Sequence, residues 1–170
     1  LEEHFQEQVS LFNSLVLDNG RHNRTTNQDI FEIPNPERFD LVYLDPPYVP
    51  RSDDNCYVKR YHFLEGLSKY WQGEEILEHT KVKKIKKKYT PFSYRSKAPE
   101  AFKRMFEKFQ NSIIVLSYSS NAFPELKDLT QWLAAYKTDV TVLKKKHQYH
   151  FGNHKSVKRS NAQEYLIIGK

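Results

Sequence analysis

The stretch Asp45-Pro46-Pro47-Tyr48 packs two hydrogen-bond acceptors, two rigid rings and one aromatic face into four residues. The Asp45 carboxylate and the Pro46 carbonyl are held close together, because consecutive prolines leave the backbone few conformations. Pro47 removes the next backbone donor, and Tyr48 sets a flat ring beside the two oxygens. A planar base with an exocyclic amine could stack on that ring and donate both amine hydrogens. The nitrogen lone pair is then drawn out of conjugation and becomes a nucleophile. The plainer alternative is a strand-ending Pro-Pro turn with a buried tyrosine.

A strand must hold such a corner. Residues 39–44 form a compact apolar run, the pattern of a buried parallel strand, and the proline pair ends it. In open α/β sheets, ligands bind beyond the carboxyl ends of strands. The surrounding pattern predicts a helix over residues 1–17, with Phe5, Val9, Phe12 and Val16 at helical spacing, ended near Asn19-Gly20. A short strand over 27–33, a loop over 49–62 and a helix over 63–78 interrupted at Gly66 and Gly73 are expected next. The basic stretch 80–97 reads as irregular. Phe102, Met105, Phe106 and Phe109 stripe a helix beginning after Pro99. Residues 112–119 read as another buried strand. Pro124 suits the first turn of a helix carrying Leu126, Leu129, Leu133 and Tyr136. Strands around Val140 and over 164–168 close the chain, joined by 152–163.

Strands alternating with helices predict an α/β fold with a mostly parallel sheet. The last two strands have no helix between them and should pair as an antiparallel hairpin at one edge. No internal repeat or second domain is visible.

The chain has 170 residues, 38% hydrophobic and 14% aromatic, enough for one core. It contains no apolar run long enough to span a membrane. No basic-then-apolar leader is present, which argues against a signal peptide. A single cysteine, Cys56, excludes a disulfide framework and a thiolate zinc cluster, and points to a reducing compartment. No metal is expected.

Charge is uneven. Residues 1–58 hold 11 acidic and 4 basic side chains, whereas residues 59–170 hold 10 and 23. Residues 81–97 carry 8 basic groups and no acid; residues 144–159 carry 6, with three histidines and no acid. Both stretches interleave aromatics, Tyr89, Phe92 and Tyr94 in one and Tyr149 and Phe151 in the other. That is the footprint of a polyanion-binding face, although a solvated helix or loop face gives similar runs.

Residues 39–48 resemble the catalytic motif of S-adenosylmethionine-dependent amino-methyltransferases. The Asp form of the motif is similar to that of Dam-like DNA adenine-N6 methyltransferases. The segment 57–67, Tyr-Val-Lys-Arg-Tyr-His-Phe-Leu-Glu-Gly-Leu, resembles the Tyr-rich segment following the motif in that group. Ser117-Tyr118-Ser119-Ser120-Asn121 resembles its next strand end. Lys158-Arg159, followed by Glu164-Tyr165-Leu166-Ile167, resembles its basic loop and closing strand.

The resemblance implies a partial Rossmann-like methyltransferase sheet acting on double-stranded DNA with S-adenosylmethionine as cofactor. Asp45 and the Pro46 carbonyl would polarise an adenine amine, and Tyr48 would stack on the base once flipped from the duplex. Displacement at the sulfonium methyl can precede proton loss, so positioning and electrostatics would supply most of the catalysis. Asp29 and Ile30, together with Asp45, would contact the cofactor; a capping or turn role for Asp29 is the alternative. Pro47, Tyr48, Tyr61 and His62 would line the target-base pocket. Asn121, after the next strand end, is a further candidate. Lys59, Arg60, Lys83, Lys84, Arg95, Lys158 and Arg159 would contact DNA. The implied location is a bacterial cytoplasm, near the nucleoid.

One departure stands out. Such enzymes carry a glycine-containing cofactor loop, yet the only glycines are Gly20, Gly66, Gly73, Gly152 and Gly169, none in a Gly-x-Gly element. With Leu1 at the start, this suggests the C-terminal catalytic portion of an enzyme, with an upstream fragment or second subunit supplying the loop. A non-catalytic nucleic-acid-binding remnant is the alternative from another class. RNA adenine or cytosine-N4 modification are the nearest enzymatic alternatives. Serine at position 45 would have pointed to cytosine, and protein glutamine methylation fits Asp45 and the basic surface less well.

Overall fold

The computed structural model describes residues 2–49, 57–149 and 160–170, with backbone alone at 57–60, 149 and 160. Four α-helices and six strands are placed among them: α1 (Glu2–Ser14), β1 (Leu41–Leu44), α2 (Tyr57–Lys69), β2 (Ile76–Leu77), β3 (Lys84–Ile85), α3 (Ala98–Lys108), β4 (Ile113–Ser119), α4 (Leu126–Ala134), β5 (Val140–Tyr149) and β6 (Ser160–Gly169).

The main sheet has the order β1-β4-β6-β5. β1 runs parallel to β4, with Leu44 opposite Leu116; β6 is antiparallel to both β4 and β5. The expected edge hairpin is therefore present as β5–β6. The mostly parallel sheet is not: one of the three described pairings is parallel and two are antiparallel. A strand that returns through a hairpin must run opposite to its neighbour. Placing β6 between β4 and β5 makes two such pairings.

One face of this sheet builds the core. Ile114, Leu116, Tyr118, Tyr165 and Ile167 are buried there. On α3, Ala98, Ala101, Phe102, Met105 and Phe106 recur at intervals of three and four and are buried, as an amphipathic helix requires. Each full burial of a Phe or Met contributes about 1.5–3 kcal/mol. Pro99 sits in the first turn of α3, where its missing N–H costs nothing. Leu129 and Leu133 of α4 complete the core. Pro124 lies just before the N-cap residue Glu125 instead of inside the first turn.

The opposite face is open among the described residues. Leu41 and Tyr43 of β1 are 54% and 58% exposed, so β1 is not the doubly buried strand that its composition predicts. Ile113 and Leu143 share that face and are exposed as well. α1 forms over most of the stretch that its periodicity predicts, but ends at Ser14, leaves Val16 outside the helix and buries no residue.

Three other expectations change. Residues 27–33 form no strand. Instead the Asp29 carboxylate accepts the Phe31 N–H at 2.9 Å and caps a 3-10 turn over Ile30–Glu32, a local bond that competes with strand pairing. Residues 57–62, read as loop, belong to α2, which stops at Lys69 instead of running on to residue 78. Finally, the basic stretch is not wholly irregular. β2 and β3 form a two-stranded ribbon, Ile76 opposite Ile85, and Pro91–Ser93 makes a 3-10 turn.

Candidate active site

Asp45 follows the last residue of β1, at the carboxyl end of the sheet's one described parallel pair. Its carboxylate is exposed, whereas Pro46 is buried and Pro47 and Tyr48 are half-buried. These four residues line an open cleft of about 370 Å³. A buried proline ring anchors the turn, and the acid beside it stays in contact with the cleft.

A second set of residues fixes Tyr48. Its ring meets Tyr118 edge-on, with centroids 5.1 Å apart and planes at 66°. Such an inclined contact matches the ring quadrupoles. The Tyr48 hydroxyl donates to Glu164 Oε2 at 3.4 Å, and Ser119 Oγ donates to Glu164 Oε1 at 3.0 Å. Behind it, the buried Val49 N–H donates to the Tyr118 hydroxyl at 3.3 Å, and that hydroxyl donates to the Phe123 carbonyl. Val49 and Phe123 also form a β-bridge, with Phe123 N–H donating to the Val49 carbonyl at 3.0 Å. The turn after β1 is thereby tied to the turn after β4.

Sequence reasoning did not assign Tyr118, Ser119, Phe123 or Glu164 a part in this corner. One signal was present: Glu164 is the only acid in residues 140–170. A lone carboxylate in a basic tail is a candidate for a specific partner.

The other expected residues are dispersed. Tyr61 and His62 lie on α2 and are not among the described residues lining the cleft. Asn121 is exposed in the turn after β4. Asp29 and Ile30 belong to the 3-10 turn, where Ile30 and Phe31 pack against the core and Arg104 lies 4.4 Å over the Phe31 ring. Arg95 lies 4.7 Å over the Phe123 ring, which brings it beside the strand-end turns. Lys59 and Arg60 fall on the α2 backbone, with their side chains outside the described set; Lys158 and Arg159 lie outside the described residues altogether.

The basic ribbon is partly neutralised. Lys83 pairs with Glu78 at 3.1 Å, Lys86 with Glu75 at 2.8 Å and Lys88 with Glu74 at 3.2 Å, whereas Lys84 is half-buried in β3. Lys69 joins Glu74 at 3.0 Å and Glu65 at 2.5 Å. Hydrogen bonds from Lys69 and Lys88 hold the Glu74 carboxyl below the usual carboxylate range. Those to Glu65 and Glu74 raise the Lys69 ammonium above its ordinary value. Beyond the ribbon, Tyr89 and Tyr94 stack at 5.4 Å, flanked by Lys87 and Lys97 over their rings. No cluster of acids, histidines and cysteine suited to a metal occurs among the described residues.

The profile of the D12 class N6 adenine-specific DNA methyltransferase family matches residues 1–150. The type II methyltransferase M2.HphI of Haemophilus parahaemolyticus is 31% identical over 150 residues, 87% of this chain and 40% of that protein. The modification methylase StsI of Streptococcus sanguinis is 27% identical over 153 residues, 90% and 22% of the two chains. The modification methylase LlaI of Lactococcus lactis subsp. lactis is 27% identical over 161 residues, 92% and 24%. The chain thus spans well under half the length of these relatives. No solved structure gives a significant match. With the match covering most of its length, the chain belongs to the D12 class N6 adenine-specific DNA methyltransferase family.

Proposed function

We propose that this chain is the catalytic portion of a DNA adenine-N6 methyltransferase, with Asp45, Pro46 and Tyr48 at the reacting amine. The observation that carries the reading is the open cleft at the end of β1, where an exposed Asp45 carboxylate lies beside a tyrosine ring braced from the side by Tyr118. Asp45 and the Pro46 carbonyl accept the two amine hydrogens, which keeps the lone pair on nitrogen. The Tyr48 face holds the extruded base by stacking, and the buried proline turn fixes the acceptors before the base arrives.

By residue type the donor set suits one end of S-adenosylmethionine, with Asp29 and Ile30 in a 3-10 turn outside the lining of the Asp45 cleft. Asp29 and Asp45 are exposed carboxylates suited to an adenine amine and a sulfonium cation, and Ile30 offers an apolar contact. These residues would hold that end. When bound, the cofactor supplies the methyl group. The described glycines form no loop of the kind that cradles the cofactor's tail.

A second polypeptide segment would complete both the site and the fold. The outer edge of β1 lacks a described neighbour, the sheet exposes Leu41, Tyr43, Ile113 and Leu143 on one face, and α1 leaves Phe5, Val9 and Phe12 in solvent. An exposed apolar sheet face and an unpaired strand edge are what such a segment would cover. A non-catalytic DNA-binding remnant is the second reading, favoured by the missing glycine loop alone. A location near the nucleoid of a bacterial cytoplasm would suit DNA as substrate. No described helix is long and apolar enough to cross a membrane.

The test is methyl transfer from isotopically labelled S-adenosylmethionine to duplex DNA, with and without a co-expressed upstream fragment, followed by digestion to nucleosides. Label in N6-methyladenine is expected. Label in N4-methylcytosine, or in RNA but not DNA, overturns the reading, and no label under either condition favours the remnant.

A further inference from the structure

β5 and β6 continue past the rest of the sheet. The last pair linking β6 to β4 is Glu164 with Ser119. Past that pair Ser120 still ties Gln163, its N–H donating to the Gln163 carbonyl and its Oγ accepting the Gln163 N–H, both at 2.9 Å. Beyond it, His147 pairs with Ala162, Gln148 with Asn161 and Tyr149 with Ser160, without a third described strand. Three antiparallel pairs at about 3.4 Å each make an arm about 10 Å long. Because β1 and β4 are parallel and β6 opposes them, the arm leaves the sheet at the same end as Asp45. With strands about 4.8 Å apart, β6 stands two positions, or roughly 10 Å, from β1. Glu164, at the arm's root, accepts from the Tyr48 hydroxyl at 3.4 Å.

The arm's chemistry is not that of a core hairpin. Lys144, Lys145, Lys146, His147 and Gln148 are all exposed, as are Asn161 and Gln163, and no acid lies in 144–149 or 160–163. Strand alternation sets Lys146, Gln148, Asn161 and Gln163 on one face. Gln148 Nε2 donates to Asn161 Oδ1 at 3.1 Å. After that bond the pair still has an amide oxygen and an amide NH2 to offer, the complement of an adenine N6–N7 edge. A hollow of about 440 Å³ is lined by these residues together with Ser120, His147 and Ala162.

We propose that the β5–β6 arm enters the DNA major groove beside the flipped base and reads sequence there, through Gln148, Asn161 and Gln163, while Lys144, Lys145 and Lys146 hold phosphates. The B-form major groove admits a two-stranded ribbon, whereas the narrow major groove of A-form RNA does not. The inference rests on duplex DNA being the substrate and names the element that gives that substrate its sequence preference.

The test is selection of bound duplexes from a library with randomised positions, together with affinity measured across a salt series. Gln148→Ala combined with Asn161→Ala should relax the preference at one or two positions by roughly tenfold or more while leaving the salt slope unchanged. Replacing Lys144, Lys145 and Lys146 by Ala should weaken binding uniformly and reduce the slope by about one unit per lysine. Unchanged preference and slope in variants of a protein that binds duplex DNA overturn the arm alone. Failure of the unaltered protein to bind any duplex, or a preference for RNA, overturns the substrate reading and the arm with it.

Discussion

The Tyr48 hydroxyl donates to Glu164 Oε2 across 116 residues of sequence, at 3.4 Å. The contact joins the turn after β1 to the first residue of β6 that pairs with β4. At that length it is weak, and the edge-on Tyr118 ring does more to hold Tyr48. Tyr48→Phe should therefore be mild. Tyr48→Ala should lose roughly 1–3 kcal/mol of base stacking. Measuring KM and kcat for both variants separates the two effects, and equal damage from both argues against stacking.

Tyr118 is a different case, because its hydroxyl serves two backbone groups. Tyr118→Phe leaves the buried Val49 N–H without that acceptor and removes the donor to the Phe123 carbonyl. The cost should be about 1–3 kcal/mol, read as a lower urea midpoint with an unchanged m-value. A midpoint equal to the parent's would show that the two strand-end turns are not tied through this hydroxyl.

The ion pairs around Glu74 give the ribbon a pH window. Glu74 titrates below its ordinary 4.5, so its contribution is complete above that value and is lost as pH falls through the lowered folded-state value. Lys69 titrates above 10.5, so its contribution is complete below that value and fades as pH rises through the raised one. Amide exchange in residues 74–88 should show protection that is flat between these limits and falls outside them. Glu74→Gln should remove the acid-side loss.

Gly66 lies within α2 without interrupting it. A Cβ there would sit 2.2 Å from Trp71 Nε1, and the backbone N–H of Trp71 donates to the Gly66 carbonyl at 2.8 Å. Tyr70 and Trp71 both adopt left-handed backbone conformations, at φ 52° and 56°. Gly66→Ala should expel the indole, shifting tryptophan emission to the red and lowering stability. An unmoved spectrum would place Trp71 elsewhere in solution.

The sequence made parts of this fold legible for local reasons. The α3 stripe, the β4 run and the β5–β6 hairpin follow from spacing and from the lack of an intervening helix. Residues 27–33 misled because Asp29 satisfies its neighbour's N–H locally, a bond that hydrophobic pattern does not report. β1 has the composition of a doubly buried strand, yet Leu41 and Tyr43 face solvent, since composition shows what a strand could bury and not whether a partner is there. At the site, the Asp45–Tyr48 corner was visible because its four residues are contiguous. Its supports, Tyr118, Phe123 and Glu164, were not, because the topology assembles them from two other elements.

The most direct measurement compares the unaltered protein with Asp45→Ala, completed by any segment needed for turnover, in duplex affinity and in N6-methyladenine formed per hour. The account predicts nearly equal affinity and no detectable product from the variant. Product at the parent's rate from Asp45→Ala would contradict it.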